Sequence, residues 1–293
     1  MTELQWKRPP KPVRIPVAQR HVAGLYWEGE GTPLLALHGW LDNAHSFLPL
    51  MAVAQKAEAK LAKRPVLALD FSGHGLSDHC PAGELLQFVT YLLDVTSVVQ
   101  AMEWQRYSLL GHSMGAVVST WLAAAFPEQV EQLIAIDALG ARVTPAGEVT
   151  TTLRKAIEEH KKLLEKPPRS YATFEAAVAS RMRSMFPVSQ HNAELLCQRG
   201  LKQTAEGDWQ WRTDPRLRGT SGIRLSKAEM LELIGQVQCP TLVIGAKQGI
   251  VGLGHMDDYL AALTHGTQIM LEGGHHVHME TPQPVCQAIN GFL

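Results

Sequence analysis

The 293-residue chain has few cysteines, and the four it has, Cys80, Cys197, Cys239 and Cys286, never form a Cys-x-x-Cys pair. Neither a zinc site nor a disulfide framework is suggested by that scatter. There is no excess of one charge: 27 Lys and Arg face 28 Asp and Glu, for a net charge of −1. Nothing global therefore points to nucleic acid or an anionic membrane as partner. No apolar run reaches membrane-spanning length. The first residues are charged, and Pro9, Pro10, Pro12 and Pro16 stand where a signal peptide needs an apolar core, so a soluble cytoplasmic protein is expected. Internal repeats and low-complexity segments are also lacking.

What is present is enough apolar residue, 45%, to build one large core with room for an insertion. Residues 1–16 read as a basic, proline-rich surface arm. Residues 17–28 read as an opening strand, one half of a hairpin turning through Gly29-Glu30-Gly31. Pro33-Leu34-Leu35-Ala36-Leu37 is a buried strand that runs into His38-Gly39-Trp40. The pattern predicts a helix over 46–62, a strand at 66–70, a helix over 85–102 and a strand at 107–110. A helix over 116–126 and a strand at 130–137 follow. Repeated alternation of strand and helix argues an α/β fold with a mostly parallel central sheet flanked by helices.

The pattern changes at Ala141. Residues 150–165, 171–186, 189–202 and 226–237 read as helices with no strand of sheet quality between them. Strands at 240–244 and 268–271 and a helix over 284–293 then resume the first pattern. The division expected is a core of residues 1–140 and 236–293 carrying a helical cap at 141–235. The cap holds 16 Lys and Arg against 11 Asp and Glu, a surplus of five. That surplus reads as a solvated helical surface in preference to an anion-attracting cap.

The stretch Gly111-His112-Ser113-Met114-Gly115 carries the chemistry. Gly-x-Ser-x-Gly between a buried strand and a small-residue helix fits a nucleophile elbow, a turn so sharp that its flanking residues must be nearly free of side chain. The turn lifts the Ser113 hydroxyl off the strand end and sets the Met114 amide at a helix N-terminus, where dipole and free N–H favour an oxyanion. A strand ending in His-Gly commonly lends a second amide, here that of Trp40. The Trp40 side chain is expected in the pocket wall. His38 is expected as a packed, hydrogen-bonded core histidine. Asp70, before the turn-rich Phe71-Ser72-Gly73-His74-Gly75-Leu76-Ser77, is expected to cap that loop.

These motifs resemble the α/β-hydrolase superfamily. Within it His38-Gly39-Trp40-Leu41-Asp42-Asn43-Ala44, Asp70 to Ser77, the elbow and His275-His276-Val277-His278-Met279 are similar to the serine hydrolase-like proteins. The resemblance covers the two sheet portions and is silent on the cap. It implies a histidine base after the last strand, to take the Ser113 proton. His275 fits by directly following Gly273-Gly274; His276 and His278 are the alternatives. Three close histidines could also hold a metal, but no cysteine or carboxylate cluster elsewhere in the sequence supports one.

The commonest family pattern places the acid a few residues after the strand at 242–244, where this chain has Gly245-Ala246-Lys247-Gln248. Glutamine cannot carry the charge that stabilises imidazolium. Some relatives in the superfamily supply the acid at the end of the strand after the nucleophile helix, and Asp137 stands there. Asp257 and Asp258 are the alternatives. The resulting expectation is a serine hydrolase that needs no cofactor, a carboxylesterase acting on small to medium esters. Ser113, His275 and Asp137 form its catalytic triad, and the Trp40 and Met114 amides form its oxyanion hole. Met182, Met185, Phe186 and Trp209 are mostly cap core, with some apolar surface offered to the acyl group. The other readings are a C–C bond hydrolase or cofactor-free haloperoxidase on the same triad, and a non-catalytic binding protein that kept the fold.

Overall fold

The computed structural model describes residues 6–81, 83–84, 87–165, 167–251 and 256–293. An eight-stranded sheet runs in the order β1-β2-β4-β3-β5-β6-β10-β11. Its strands are β1 (Lys11–Val17), β2 (Arg20–Trp27), β3 (Leu34–Leu37), β4 (Val66–Leu69), β5 (Tyr107–His112), β6 (Val130–Ile136), β10 (Thr241–Gln248) and β11 (Gly266–Gly274). β1 with β2 and β2 with β4 are antiparallel; every other pairing is parallel.

The central strands are apolar on both faces, as a sheet covered by helices on both sides requires. Leu35, Leu37, Leu67, Leu69 and Leu109 point to one face and meet α3 (Phe88–Ala101) and α4 (Met114–Ala125). Leu34, Ala36, Val66, Ala68 and Leu110 point to the other and meet α1 (Leu48–Lys56) and α11 (Pro282–Phe292). Leu34, Leu35 and Leu37 are all fully buried, each contributing about 1.5–3 kcal/mol relative to exposure.

Several elements differ from the sequence expectation. The opening hairpin turns at Ala18-Gln19, with Ala18 at φ 49°, and its first strand begins at Lys11, inside the expected arm. Pro12 and Pro16 are tolerated because β1 is an edge strand, where a missing N–H can face solvent. The helix expected over 46–62 breaks into α1 and the short α2 (Lys60–Lys63) at Glu58, whose φ is 53°. α3 is described from Phe88; Leu85 and Leu86, where its start was expected, lie outside the described residues, as do residues 1–5 of the arm.

The inserted region contains α5 (Val149–Glu165), α6 (Phe174–Met182), α7 (Gln190–Gly200) and α8 (Lys227–Gly235). It also contains a small antiparallel sheet of β7 (Ser170–Tyr171), β9 (Trp209–Trp211) and β8 (Leu201–Gln203), where strands were not expected. Strands of two or three residues are too short to show alternation. Ala177, Val178, Val188, Ala193, Cys197 and Leu201 form a separate small core there. α8 instead packs on α4 and on α9 (Asp257–Ala262), with Met230 and Ile234 in the main core. The last short helix, α10 (Val277–Glu280), precedes α11. Among the described residues, no helix is long and apolar enough to cross a membrane.

Candidate active site

The parallel strands deliver their functional residues from their carboxyl ends, the edge at which open α/β sheets bind ligands. β5 ends in His112, and Ser113 follows as the N-cap of α4 with φ 51° and ψ −117°. A non-glycine residue in that conformation stores on the order of 1–3 kcal/mol of strain, held by its surroundings. The glycines flanking it are sterically required. A Cβ on Gly111 would lie 2.4 Å from the Ala116 Cα, and one on Gly115 would lie 1.9 Å from the Leu37 carbonyl oxygen. The turn therefore exists because two side chains are missing where α4 presses on β5 and β3.

β6 ends at Ile136, and Asp137 follows, fully buried and also left-handed, with φ 50°. Its carboxylate accepts amides from Ala246 at 3.1 Å, Ile250 at 2.8 Å and Val251 at 3.3 Å. Its Oδ2 also lies 2.6 Å from His275 Nδ1. The end of β10 and the loop after it, where the commonest pattern carries the acid, here wrap the Asp137 carboxylate at the end of β6. Gly249 allows that wrapping, since a Cβ there would sit 2.2 Å from Asp137 Oδ2. Gln248 accepts the Gly273 amide at 2.9 Å, so the residue standing at the usual acid position braces the loop that carries His275. Asp257 and Asp258 are exposed on α9, and Asp258 pairs with Lys227.

His275 is 6% exposed, and the Phe186 ring lies against it at 4.1 Å between centroids. His276 Nε2 is 2.9 Å from Asp42 Oδ2, while His278 is fully buried with neither ring nitrogen partnered. Burial, helped by the charge of nearby His276, pushes His278 down to about 3. His112 is likewise held well below the usual histidine range by burial and by its neighbours His278, His275 and His276; its Nε2 donates to the His275 carbonyl at 2.9 Å. Of the three C-terminal histidines, His275 is therefore the one joined to a carboxylate at the carboxyl end of β6.

Trp40 lines the cavity beside Ser113, and its indole donates to the Leu217 carbonyl at 2.7 Å. Met114 opens α4, and neither its amide nor that of Trp40 donates to an acceptor among the described residues. His38 is packed as expected: its Nε2 accepts the Phe71 amide at 3.1 Å and its Nδ1 donates to the Gly39 carbonyl at 2.7 Å. Asp70 caps its loop by accepting the Ala44 and Leu76 amides, and it also reaches Arg199 on α7 at 2.8 Å.

Over these groups lies a cavity of about 790 Å³ with Ser113 and His275 in its wall. Of the four apolar cap residues singled out, Met185 and Phe186 face it, whereas Met182 and Trp209 pack within the cap. A clamp closes one side that sequence reasoning missed. Arg181, from α6, donates to Asp42 Oδ1 at 2.9 Å and to the Phe186 carbonyl at 3.1 Å. Burial alone would raise the Asp42 carboxyl, but His276 and Arg181 hold it well below the usual range. Asp42, His112 and His276 bring three potential metal-ligating atoms within 4.8 Å of one another, using a carboxylate the sequence reading had not paired with these histidines. The Arg181 guanidinium, 3.1 Å from His276 Nε2, is the cation that this group holds here. Asp42 and Arg181 lie 139 residues apart, and no local pattern links them.

Fold and site together define a hydrolase built on a nucleophile elbow, and the comparisons agree. The model of the family described as alpha/beta hydrolase fold matches residues 32–282, and the chain belongs to that family. A serine hydrolase-like protein of Danio rerio is 31% identical over 100% of this chain and 91% of its own. Serine hydrolase-like protein 2 of Homo sapiens is 30% identical, over 96% and 93% of the two chains. The crystal structure of a hypothetical protein from Pseudomonas aeruginosa PAO1 superposes with a TM-score of 0.89 at 38% identity, covering 96% and 99%.

Proposed function

We propose that this hydrolase is a carboxylesterase that cleaves small to medium esters through an acyl-enzyme on Ser113. The observation that carries the reading is the 2.6 Å contact of His275 with the Asp137 carboxylate, on a histidine that shares one cavity with the strained Ser113. Ser113 Oγ attacks the ester carbonyl while His275 Nε2 takes its proton. The Nδ1–H stays on the Asp137 side, where the carboxylate fixes the tautomer and stabilises the imidazolium. The Trp40 and Met114 amides hold the oxyanion, each such donor being worth roughly 3–4 kcal/mol. The bond to the leaving alkoxide breaks as His275 returns the proton to it. Water, deprotonated by His275, then attacks the acyl carbon, and the bond to Ser113 Oγ breaks as His275 returns the proton to it, freeing the acid and Ser113.

The three amides on Asp137 support this assignment further. They hold its charge in place, and among the described residues no Lys or Arg pairs with it, so the imidazolium is the counter-ion that the reaction forms there. Phe186, against the imidazole, and Met185, in the cavity wall, offer the acyl chain apolar surface. A fluorophosphonate probe tests the reading: an adduct on Ser113 that disappears in Ser113→Ala is expected. Absence of the adduct would favour a binding protein of the same fold, and labelling that survives in the variant would move the nucleophile away from Ser113.

A further inference from the structure

The cavity wall is unevenly charged. Among the described residues, four arginines of the inserted region line it, Arg169, Arg181, Arg183 and Arg218, against one carboxylate, Asp42. That carboxylate is already engaged by Arg181 and His276. Three further acids are also engaged: Asp214 binds the Arg216 guanidinium, Glu280 accepts from Ser189 and Asn192, and Glu159 accepts the Thr220 amide. Among the described residues, no carboxylate pairs with Arg169, Arg183 or Arg218, and none of these three guanidinium groups donates a hydrogen bond. Arg169 rests over the Tyr171 ring at 5.0 Å; Arg183 and Arg218 are exposed. Part of the positive surplus of the inserted region thus faces the same space as Ser113 and His275.

We propose that this cavity selects substrates that carry an anionic group, a carboxylate or a phosphate, seated against Arg183, Arg218 and Arg169 while the ester carbonyl meets Ser113. The inference rests on the reading of Ser113 as nucleophile and adds the substrate class. A guanidinium presents a planar fork of donors that fits both anions and stays charged at any working pH. Three such groups around a concave wall focus positive potential and raise the local concentration of an anion. Because they are exposed, salt weakens their pull over a Debye length of about 8 Å at physiological ionic strength. The selectivity is therefore a matter of kcat/KM and falls as salt rises.

The test compares p-nitrophenyl hexanoate with the p-nitrophenyl monoester of adipate, a six-carbon acyl chain whose terminal methyl is replaced by a carboxylate. A third ester, 4-phosphophenyl hexanoate, puts phosphate on the alcohol side and is read against phenyl hexanoate, whose leaving phenol is of similar acidity. Rates with Ser113→Ala are subtracted from each. One anionic ester is expected to exceed its neutral counterpart in kcat/KM by roughly 10–100-fold at low salt, within the range of electrostatic steering. Which of the two is preferred assigns the anion to the acyl or the alcohol side. The preference should fall several-fold in Arg183→Gln and in Arg218→Gln, vanish in the triple variant with Arg169→Gln, and be kept largely by Arg→Lys. A protein that labels with fluorophosphonate and turns over the neutral ester with no anionic preference would overturn this inference and leave the esterase reading standing. A protein that does not label would overturn both.

Discussion

The core and the inserted region solve different problems with different materials. In the core, the groups at the site are placed by backbone: two left-handed residues, Ser113 and Asp137, sit at strand ends under continuous apolar packing. Between α5 and β9 the inserted region has a small apolar cluster of its own, and side-chain bonds add to its fastening on the core. Asn43 to the Leu196 carbonyl, Asp70 to Arg199 and Asp42 to Arg181 are three of them. Backbone placement is rigid and tolerates little change. Side-chain clamps can be exchanged more freely, which suits a surface that sets specificity.

The comparison breaks most readily at the elbow. Gly115→Ala would put a methyl group 1.9 Å from the Leu37 oxygen, forcing α4 away from β3. The expected cost is about 3 kcal/mol of stability with a fall in kcat near a thousandfold, read by chemical unfolding and ester turnover. Gly249→Ala is the next largest in turnover, since its methyl group would meet Asp137 Oδ2 at 2.2 Å. A displaced carboxylate should cost about a hundredfold in kcat, because misplacement by an ångström costs that much, while melting shifts little.

Arg181→Gln probes the other region. It leaves Asp42 buried beside His276 and His112 with no arginine, so stability should fall by about 3 kcal/mol. The kcat/KM should fall by only about tenfold, because the clamp shapes the wall and bonds to neither Ser113 nor His275. A loss of turnover as large as that of Gly249→Ala would place the clamp inside the catalytic frame and end the distinction drawn above.

The smallest effect at neutral pH belongs to His278→Leu. Both ring nitrogens of His278 lack partners, so the change orphans no hydrogen bond. The histidine is held neutral in the folded protein down to about 3, whereas the unfolded chain takes the proton below about 6.5. Between those values the unfolded state binds more protons, so stability falls as pH falls through that window. His278→Leu should melt near the parent at pH 7.5 and above it at pH 5, as followed by thermal unfolding. The described histidines of the inserted region, His160 and His191, are not buried, so acid sensitivity of this kind is a property of the core.

The same contrast governs what could be read in the sequence. Leu34 to Leu37, Val66 to Leu69 and the elbow were legible because a doubly covered parallel strand must be apolar and a sharp turn must have glycine. The positions of His275 and Asp137 followed from resemblance, and their adjacency is a fact of the fold. The service of Gln248 as a brace was not legible, because it depends on a Gly273 amide brought near only by β10 pairing with β11. Nor were β7, β8 and β9, each too short for a period, or the Arg181 clamp, which joins residues far apart in the chain. The charge surplus of residues 141–235 was visible as a number, but which of its arginines face a cavity depends on how α6 and the segments beside it lie.

The claim at the centre of this account is that the loop after β10 has given up the acid and become the cradle of Asp137. The turnover of Asp137→Asn, set beside Asp257→Asn and Asp258→Asn in proteins that melt like the parent, tests it most directly. Asn keeps the shape but loses the charge and can invert the His275 tautomer, so kcat should fall by roughly 10²–10⁴. The two α9 variants, altered at exposed positions, should lose less than about tenfold. Near-parent turnover in a folded Asp137→Asn protein, with an inactive Asp257 or Asp258 variant, would contradict the account and move the acid to the later helix.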